Sequence, residues 1–308
     1  MRNRVIRGLS VSLKRFRLRG IWKLLVYVVL LTLAFVFLYP FLFMIVTSLK
    51  SPQDLNDITV VWVLNTLQYQ NFLDAIELME YPWRLIRTIL VTALGVLGHV
   101  LSGAFVGYGF SRFRFKGKSF LFFCLIISMV VPIQTLIIPI YMTYSKLGWI
   151  NTVLPLIVPN YLGFGLQGAL FIFIFRQFFL SLPKSLEEAT SIDGCGAIRT
   201  FFKVALPTAG PSILVCTVLG TVWHWNDVFE PSIYLTQQSK YLLAMMLAVV
   251  ENLVNSDVLQ EQGLENVQYT DATIMAAAVL VVVPLLIAFA FVQKQFIQSV
   301  ERSGITGE

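Results

Sequence analysis

The sequence predicts an all-α membrane protein of six transmembrane helices, and three observations carry that reading. Only 13% of the 308 residues are charged and 57% are hydrophobic, whereas soluble domains carry about 25% charged residues. The remaining charge is clustered, leaving uncharged stretches at 24–49, 88–111, 119–145, 147–175, 204–226 and 272–293, each longer than the roughly 20 residues a helix needs to cross the hydrocarbon core. Finally, the basic residues between these stretches alternate between rich and poor segments. A soluble helical protein could not bury so much uncharged surface without lipid. Spans are therefore placed at 24–49, 88–111, 119–145, 150–175, 208–228 and 272–293, with a basic tail at 1–23, an outer loop at 50–85, a core over 86–296 and a C-terminal tail at 297–308.

The first span could be mistaken for a cleaved signal, but its 26 uncharged residues exceed the usual 7–15 of a signal h-region, and no small-x-small site follows. It reads as a retained anchor. Residues 1–23 hold eight Lys and Arg and no acid. Basic residues collect in cytoplasmic loops, so this tail is placed inside. Alternating from there, the inner segments hold 18 basic residues and the outer ones 5. Both termini then lie in the cytoplasm. The net charge of +6 is juxtamembrane, which matches topology and contact with anionic lipid and gives no reason to expect nucleic acid.

Within the spans, Pro40, Pro132, Pro139, Pro155, Pro159, Pro211 and Pro284 interrupt the helices, which suits a bundle lining a pathway, where neighbours or a cavity satisfy the freed backbone groups. Packing kinks alone would give the same pattern. Gly95, Gly98, Gly103, Gly107 and Gly109 crowd the second span, and small residues four apart allow close helix packing. Cys124, Cys195 and Cys216 lie far apart, with no disulfide or metal spacing. His99 and His224 are equally isolated, and read as packing or cavity-lining groups rather than ligands.

No Asp, Glu, Lys or Arg lies in the six uncharged stretches, so the intramembrane relay of an ion-coupled carrier and the charged ring of a channel are both missing. Nor is a nucleotide site present. Gly117-Lys118-Ser119 has the ending of a phosphate-binding loop, but Arg112 stands where its first glycine is required. No cofactor is expected in this chain, and it is not expected to be an enzyme; an ATPase, with ATP and magnesium, would have to be another polypeptide.

The segment 181–207 lies between the fourth and fifth spans. Ser185 and Glu188 form a capping box that starts a helix at Leu186. Gly194 and Gly196 can end it near Asp193. Ala197 to Ala205 can form a second helix, turned by Leu206-Pro207 into span five. Physics alone makes this an ordered connector at the inner surface.

Pro183, Glu188, Ala189, Asp193, Gly194 and Leu206-Pro207 resemble the Glu-Ala-Ala loop of importer permeases in the ATP-binding cassette superfamily. Thr190 replaces the usual second alanine and Val204 the usual isoleucine. The resemblance implies a type I importer permease fold, in which this loop is a coupling helix seated in a cleft of the ATPase. Ser185 and Thr190 would belong to that contact, with Glu188 its charged member, Ala189 the close-packing position, and Asp193-Gly194 the turn. Tyr108 to Lys118, Pro132 to Pro139, Leu147 to Thr152, Trp225-Asn226-Asp227 and Gln293 to Phe296 are similar, in order and spacing, to stretches of the carbohydrate-uptake permeases of the maltose-transporter type, specifically the six-span partner.

That family implies a homologous second permease, a dimer of ATPase subunits, an extracytoplasmic solute-binding protein and a sugar or oligosaccharide as cargo. Sugar sites combine aromatic faces with amide and carboxylate groups in apolar surroundings. Trp223, Trp225, Asn226 and Glu230, with Gln134, Tyr141 and Tyr161, have that chemistry. An interfacial aromatic belt is the simpler account of most of them. An ATP-independent channel or carrier, or a membrane assembly factor that moves nothing, are the rival readings; the coupling loop opposes the first and the prolines the second.

Overall fold

The computed structural model describes residues 2–183, 185, 188, 190, 194–255 and 269–305, with side chains from Trp22 onward except at 166, 255, 297 and 299–305. Among these, the elements are helical. Helix α1 (Arg2–Ser48) carries the first predicted span, and almost every side chain from Trp22 to Leu42 is exposed. An apolar helix with no protein cover is stable only where lipid or a partner subunit provides the cover. The far-end loop that follows is tightly built. Asp54 is buried and accepts from both the backbone and the side chain of Asn65, while Asn71 donates to the Ser48 and Lys50 carbonyls that end α1. It contains α2 (Pro52–Asn56) and α3 (Gln70–Leu78).

Helix α4 (Tyr81–Arg112) is the centre of the bundle. Its glycine face meets α8 (Gly165–Ser181) so closely that a Cβ on Gly107 would lie 2.8 Å from Phe175 Cβ and 2.9 Å from the Arg176 backbone nitrogen. Val96, Val100, Ala104 and Tyr108 of α4 join Phe171, Phe175 and Phe179 of α8 in one buried cluster. Helix α13 (Asp271–Ile305), containing the last predicted span, packs on α1, on α10 (Gly210–Asn226), on α12 (Met245–Asn255) and on α3.

Among the described residues, three helices, including the Trp22–Ser48 part of α1, are long and apolar enough to cross a membrane, and two bent helix pairs raise the number to five if each pair is one span. The third predicted span is such a pair, α5 (Lys118–Ser128) and α6 (Ile133–Lys146), bent by 100°. Pro132 lies at the break, and a proline pushes the residue before it out of the helical region. The fourth predicted span, 150–175, divides into α7 (Leu154–Tyr161) and the first part of α8, with Gly163 at φ 67° between them. Each break returns backbone groups to unsatisfied states unless neighbours or a cavity serve them.

The far ends of these helices are roofed by the chain after α10. Helix α11 (Phe229–Tyr234) leads into a loop pinned at two points. Arg84, 2% exposed, donates to the Gln238 and Tyr241 carbonyls at 2.8 and 3.2 Å and to Glu80 at 3.1 Å. Asn151 Oδ1 accepts from the Thr236 and Gln237 amides at 2.8 and 3.0 Å.

Candidate functional site

Two regions carry chemistry, one at each end of α10. At its start is the segment read as a coupling helix. Ser185, Glu188 and Thr190 are helical, whereas Ala189 and Asp193 lie outside the described residues. Gly194 turns the chain with φ 71°, a conformation costly for other residues. The Cys195 amide donates to the Thr190 carbonyl at 3.0 Å, and the Thr190 and Thr200 hydroxyls meet at 3.2 Å. Threonine in place of the family's second alanine therefore contributes a link between the two short helices.

The second of these, α9 (Ala197–Thr208), runs past the predicted end at Ala205 and through Leu206-Pro207; the turn of 74° into α10 comes only at Ala209. The physical reason is the π-helical stretch Phe201–Ala205, in which the Leu206 amide reaches back to the Phe201 carbonyl. A widened turn absorbs the proline that would break an α-helix at this point.

At the other end of α10 lies a polar cavity of about 170 Å³. Its walls come from six helices, among them His99 of α4, Asn160 of α7, Gln167 of α8, and His224 of α10 with the following Asp227. Glu230 and Tyr234 of α11 and Tyr144 of α6 complete it. His99, 3% exposed, stacks on His224 with ring centroids 5.3 Å apart, and His99 Nδ1 lies 3.2 Å from His224 Nε2. The pair that is isolated in sequence is therefore a hydrogen-bonded unit. Gly95 leaves room for it, since a Cβ there would be 2.9 Å from Asn160 Nδ2 and 3.2 Å from the His224 ring.

Asp227 Oδ1 accepts from the Phe229 and Glu230 amides at 3.0 and 3.3 Å, fixing the carboxylate at the start of α11. Burial, then the neighbouring Asp227 charge, pushes the Glu230 carboxyl up to about 7. Among the described residues, the buried Gln167 Oε1 in the lining has no hydrogen-bond partner. Buried polar groups are usually satisfied.

Of the side chains singled out in sequence as pathway candidates, Glu230 alone lines this cavity. Trp225 is buried and donates from Nε1 to the Val281 carbonyl at 3.0 Å, tying α10 to α13. Trp223 stacks on Phe171 at 6.1 Å, and Tyr161 covers Gly98. Asn226 donates to the Val222 carbonyl of its own helix, and Gln134 and Tyr141 are exposed on α6. Asn160, Gln167 and Asp227, which sequence reasoning missed, and His99 and His224, which it read as packing or cavity-lining groups, are brought together by tertiary packing. One local signal was present, the spacing of 224, 227 and 230 by three, although Asp227 itself is extended (ψ 118°) between α10 and α11.

Residues 99–302 match the family model described as "binding-protein-dependent transport system inner membrane component". The chain belongs to that family. It is 29% identical over 280 residues to the arabinooligosaccharides transport system permease protein of Halalkalibacterium halodurans, covering 89% of this chain and 93% of the relative. It is also 30% identical over 274 residues to a probable ABC transporter permease protein of Bacillus subtilis, covering 87% and 84%. A polygalacturonan/rhamnogalacturonan transport system permease protein of Bacillus subtilis is 24% identical over 290 residues, covering 93% and 99%. Among solved structures, a chain of a bacterial ABC transporter involved in the import of the acidic polysaccharide alginate superimposes with a TM-score of 0.75, covering 90% of this chain and 96% of that one at 23% identity. The architecture is thus that of a type I importer permease, a membrane-embedded transport subunit.

Proposed function

We propose that this permease forms half of the translocation pathway of an ATP-driven saccharide importer, together with a homologous second permease, a dimer of ATPase subunits and an extracytoplasmic binding protein. The observation that carries the reading is that one helix, α10, joins both functional regions. Its start follows the 181–207 segment and its end supplies His224 and leads to Asp227. A movement imposed on the segment is therefore delivered along a rigid element to the cavity, as alternating access requires. Saccharides are the cargo named for two of the relatives, and the convergent amide, imidazole, carboxylate and phenol groups of the cavity suit a polyhydroxylated ligand.

Six spans follow if α5 with α6 and α7 with α8 each cross once as broken helices, placing both termini and the 181–207 segment in the cytoplasm. The far-end loops then face the binding protein. ATP and magnesium belong to the ATPase partner, and Glu188, with Ser185, Ala189, Thr190, Asp193 and Gly194 around it, forms the surface it holds.

The test is co-purification. With Glu188→Lys or Gly194→Pro the protein should still insert and pair with the second permease, but the ATPase should be lost from the purified complex. ATPase retained at the native level in both variants would overturn the coupling role.

A further inference from the structure

We infer that the turn from α4 into α5, together with α8, binds the phosphate of an anionic phospholipid in the leaflet on the side of the 181–207 segment. Three cations converge there. Arg176 of α8 lies over the Phe122 ring of α5, 4.0 Å from its centroid. Lys118 stands one turn before Phe122 and shares its face of α5. Its Nζ donates at 2.9 Å to the carbonyl of Phe113, the neighbour of Arg114. Arg112, at the end of α4, donates to the Leu182 carbonyl at 3.0 Å, which sets the group beside the 181–207 segment.

The charge of this group is uncompensated. Among the described residues, none of Arg114, Lys118 and Arg176 has a carboxylate within salt-bridge distance, and the buried Arg176 Nε finds no acceptor. Burial, then the Arg176 and Arg114 charges, hold the Lys118 ammonium below the usual lysine range. Helix α5 begins at the same place with no side-chain cap, so its positive end adds to the field. Cations gathered at an apolar boundary are costly until an anion joins them. A phosphate supplies that charge with several acceptor oxygens, in the form that guanidinium and ammonium groups bind well.

The surroundings decide which anion it is. Phe120, Leu121 and Phe123 of α5, within about one turn of Lys118, are 66%, 49% and 59% exposed. A free phosphate or an acidic protein segment would meet the cations and leave these side chains uncovered. A phospholipid meets both, with its phosphate at the cations and its acyl chains along α5, and basic pockets between membrane helices hold lipid head groups in this way.

The test is photolabelling of the complete complex, with both permeases and the ATPase, in phosphatidylcholine nanodiscs containing a trace of phosphatidylglycerol with a diazirine on its acyl chain. Mass spectrometry should place the label on α5 at 119–123. Excess phosphatidylglycerol should suppress it several-fold, whereas excess phosphatidylcholine or inorganic phosphate should not. Labelling should fall at least threefold in Arg114→Gln/Lys118→Gln and persist in Arg114→Lys/Lys118→Arg, in variants that retain the ATPase on size exclusion. If the double variant fails that criterion, the exposed single change Arg114→Gln is read, and it too should lower the label.

Suppression by phosphatidylcholine as strong as by phosphatidylglycerol would overturn the inference in favour of plain acyl contact, and suppression by inorganic phosphate would make free phosphate the ligand. Absence of label from 119–123 would show that protein covers this face and would also overturn it, as would unchanged labelling in the glutamine variants.

Discussion

The two halves of α4 make opposite uses of the same small-residue sequence. In the half nearer the 181–207 segment, Gly103 and Gly107 bring the backbone against Phe171, Ile172 and Phe175 of α8, and the seam is apolar and closed. In the other half, Gly95 and Gly98 also admit close neighbours, but these are Asn160, His224 and Tyr161, and the adjoining space is a polar cavity. Lipid supplies little drive for helix association, so a membrane bundle depends on such close contact. The closed half holds α4 and α8 together. The other half can therefore leave polar groups open to a ligand.

Placing a large side chain in the closed half is the severest way to break this comparison. In Gly107→Leu the new Cβ meets backbone atoms of Ile172 and Arg176 at 3.0 and 2.9 Å, which cannot rotate away, so the cost should exceed the about 1–3 kcal/mol of ordinary overpacking. Thermal unfolding in detergent should show a protein that no longer survives purification. Next in size is Gly95→Ala. Its methyl group meets the Asn160 amide and the His224 ring, side chains that can shift, so the complex should remain assembled while ATP-driven uptake falls several-fold.

Trp225→Phe sharpens the comparison from outside both halves. It removes the hydrogen bond to the Val281 carbonyl, worth about 1 kcal/mol, and should lower thermal stability slightly with no change in which saccharides are taken up. The smallest effect concerns pH. Because burial and Asp227 hold the Glu230 carboxyl up at about 7, Glu230 is charged at pH 8 and largely protonated at pH 6. The groups facing the same space are Asp227, His99, His224, Tyr144 and Tyr234. ATP-driven saccharide uptake should therefore change between pH 8 and pH 6 in the native complex, and that part of its pH dependence should vanish in Glu230→Gln.

How readily each region can be read from sequence follows from the distances over which its residues act. The 181–207 segment is contiguous, so a cap, a glycine turn and a motif suffice to outline helix, turn and helix. What that local reading lacks is the π-helical stretch, because proline chemistry alone cannot say whether a helix ends before Pro207 or widens to admit it. The cavity is assembled from residues as distant as His99 and His224, 125 positions apart, and composition gives no hint of their contact. Reading Trp225 as a pathway aromatic overlooks the simpler need of a buried indole N–H for an acceptor, here the Val281 carbonyl. Apolar length places spans at 119–145 and 150–175 and the prolines mark them as interrupted; Pro132 lies at the break in the first, whereas the Gly163 turn that breaks the second has no such local sign.

The central claim is that a separate ATPase, acting through the 181–207 segment, drives saccharides past the cavity. Uptake of a radiolabelled saccharide into vesicles bearing the complete complex, with its binding protein outside, tests it most directly. Uptake should require ATP inside the vesicle, persist when an uncoupler collapses the proton gradient, and be lost in Glu188→Lys. Accumulation that continues without ATP, or that stops with the uncoupler while ATP is present, would contradict it.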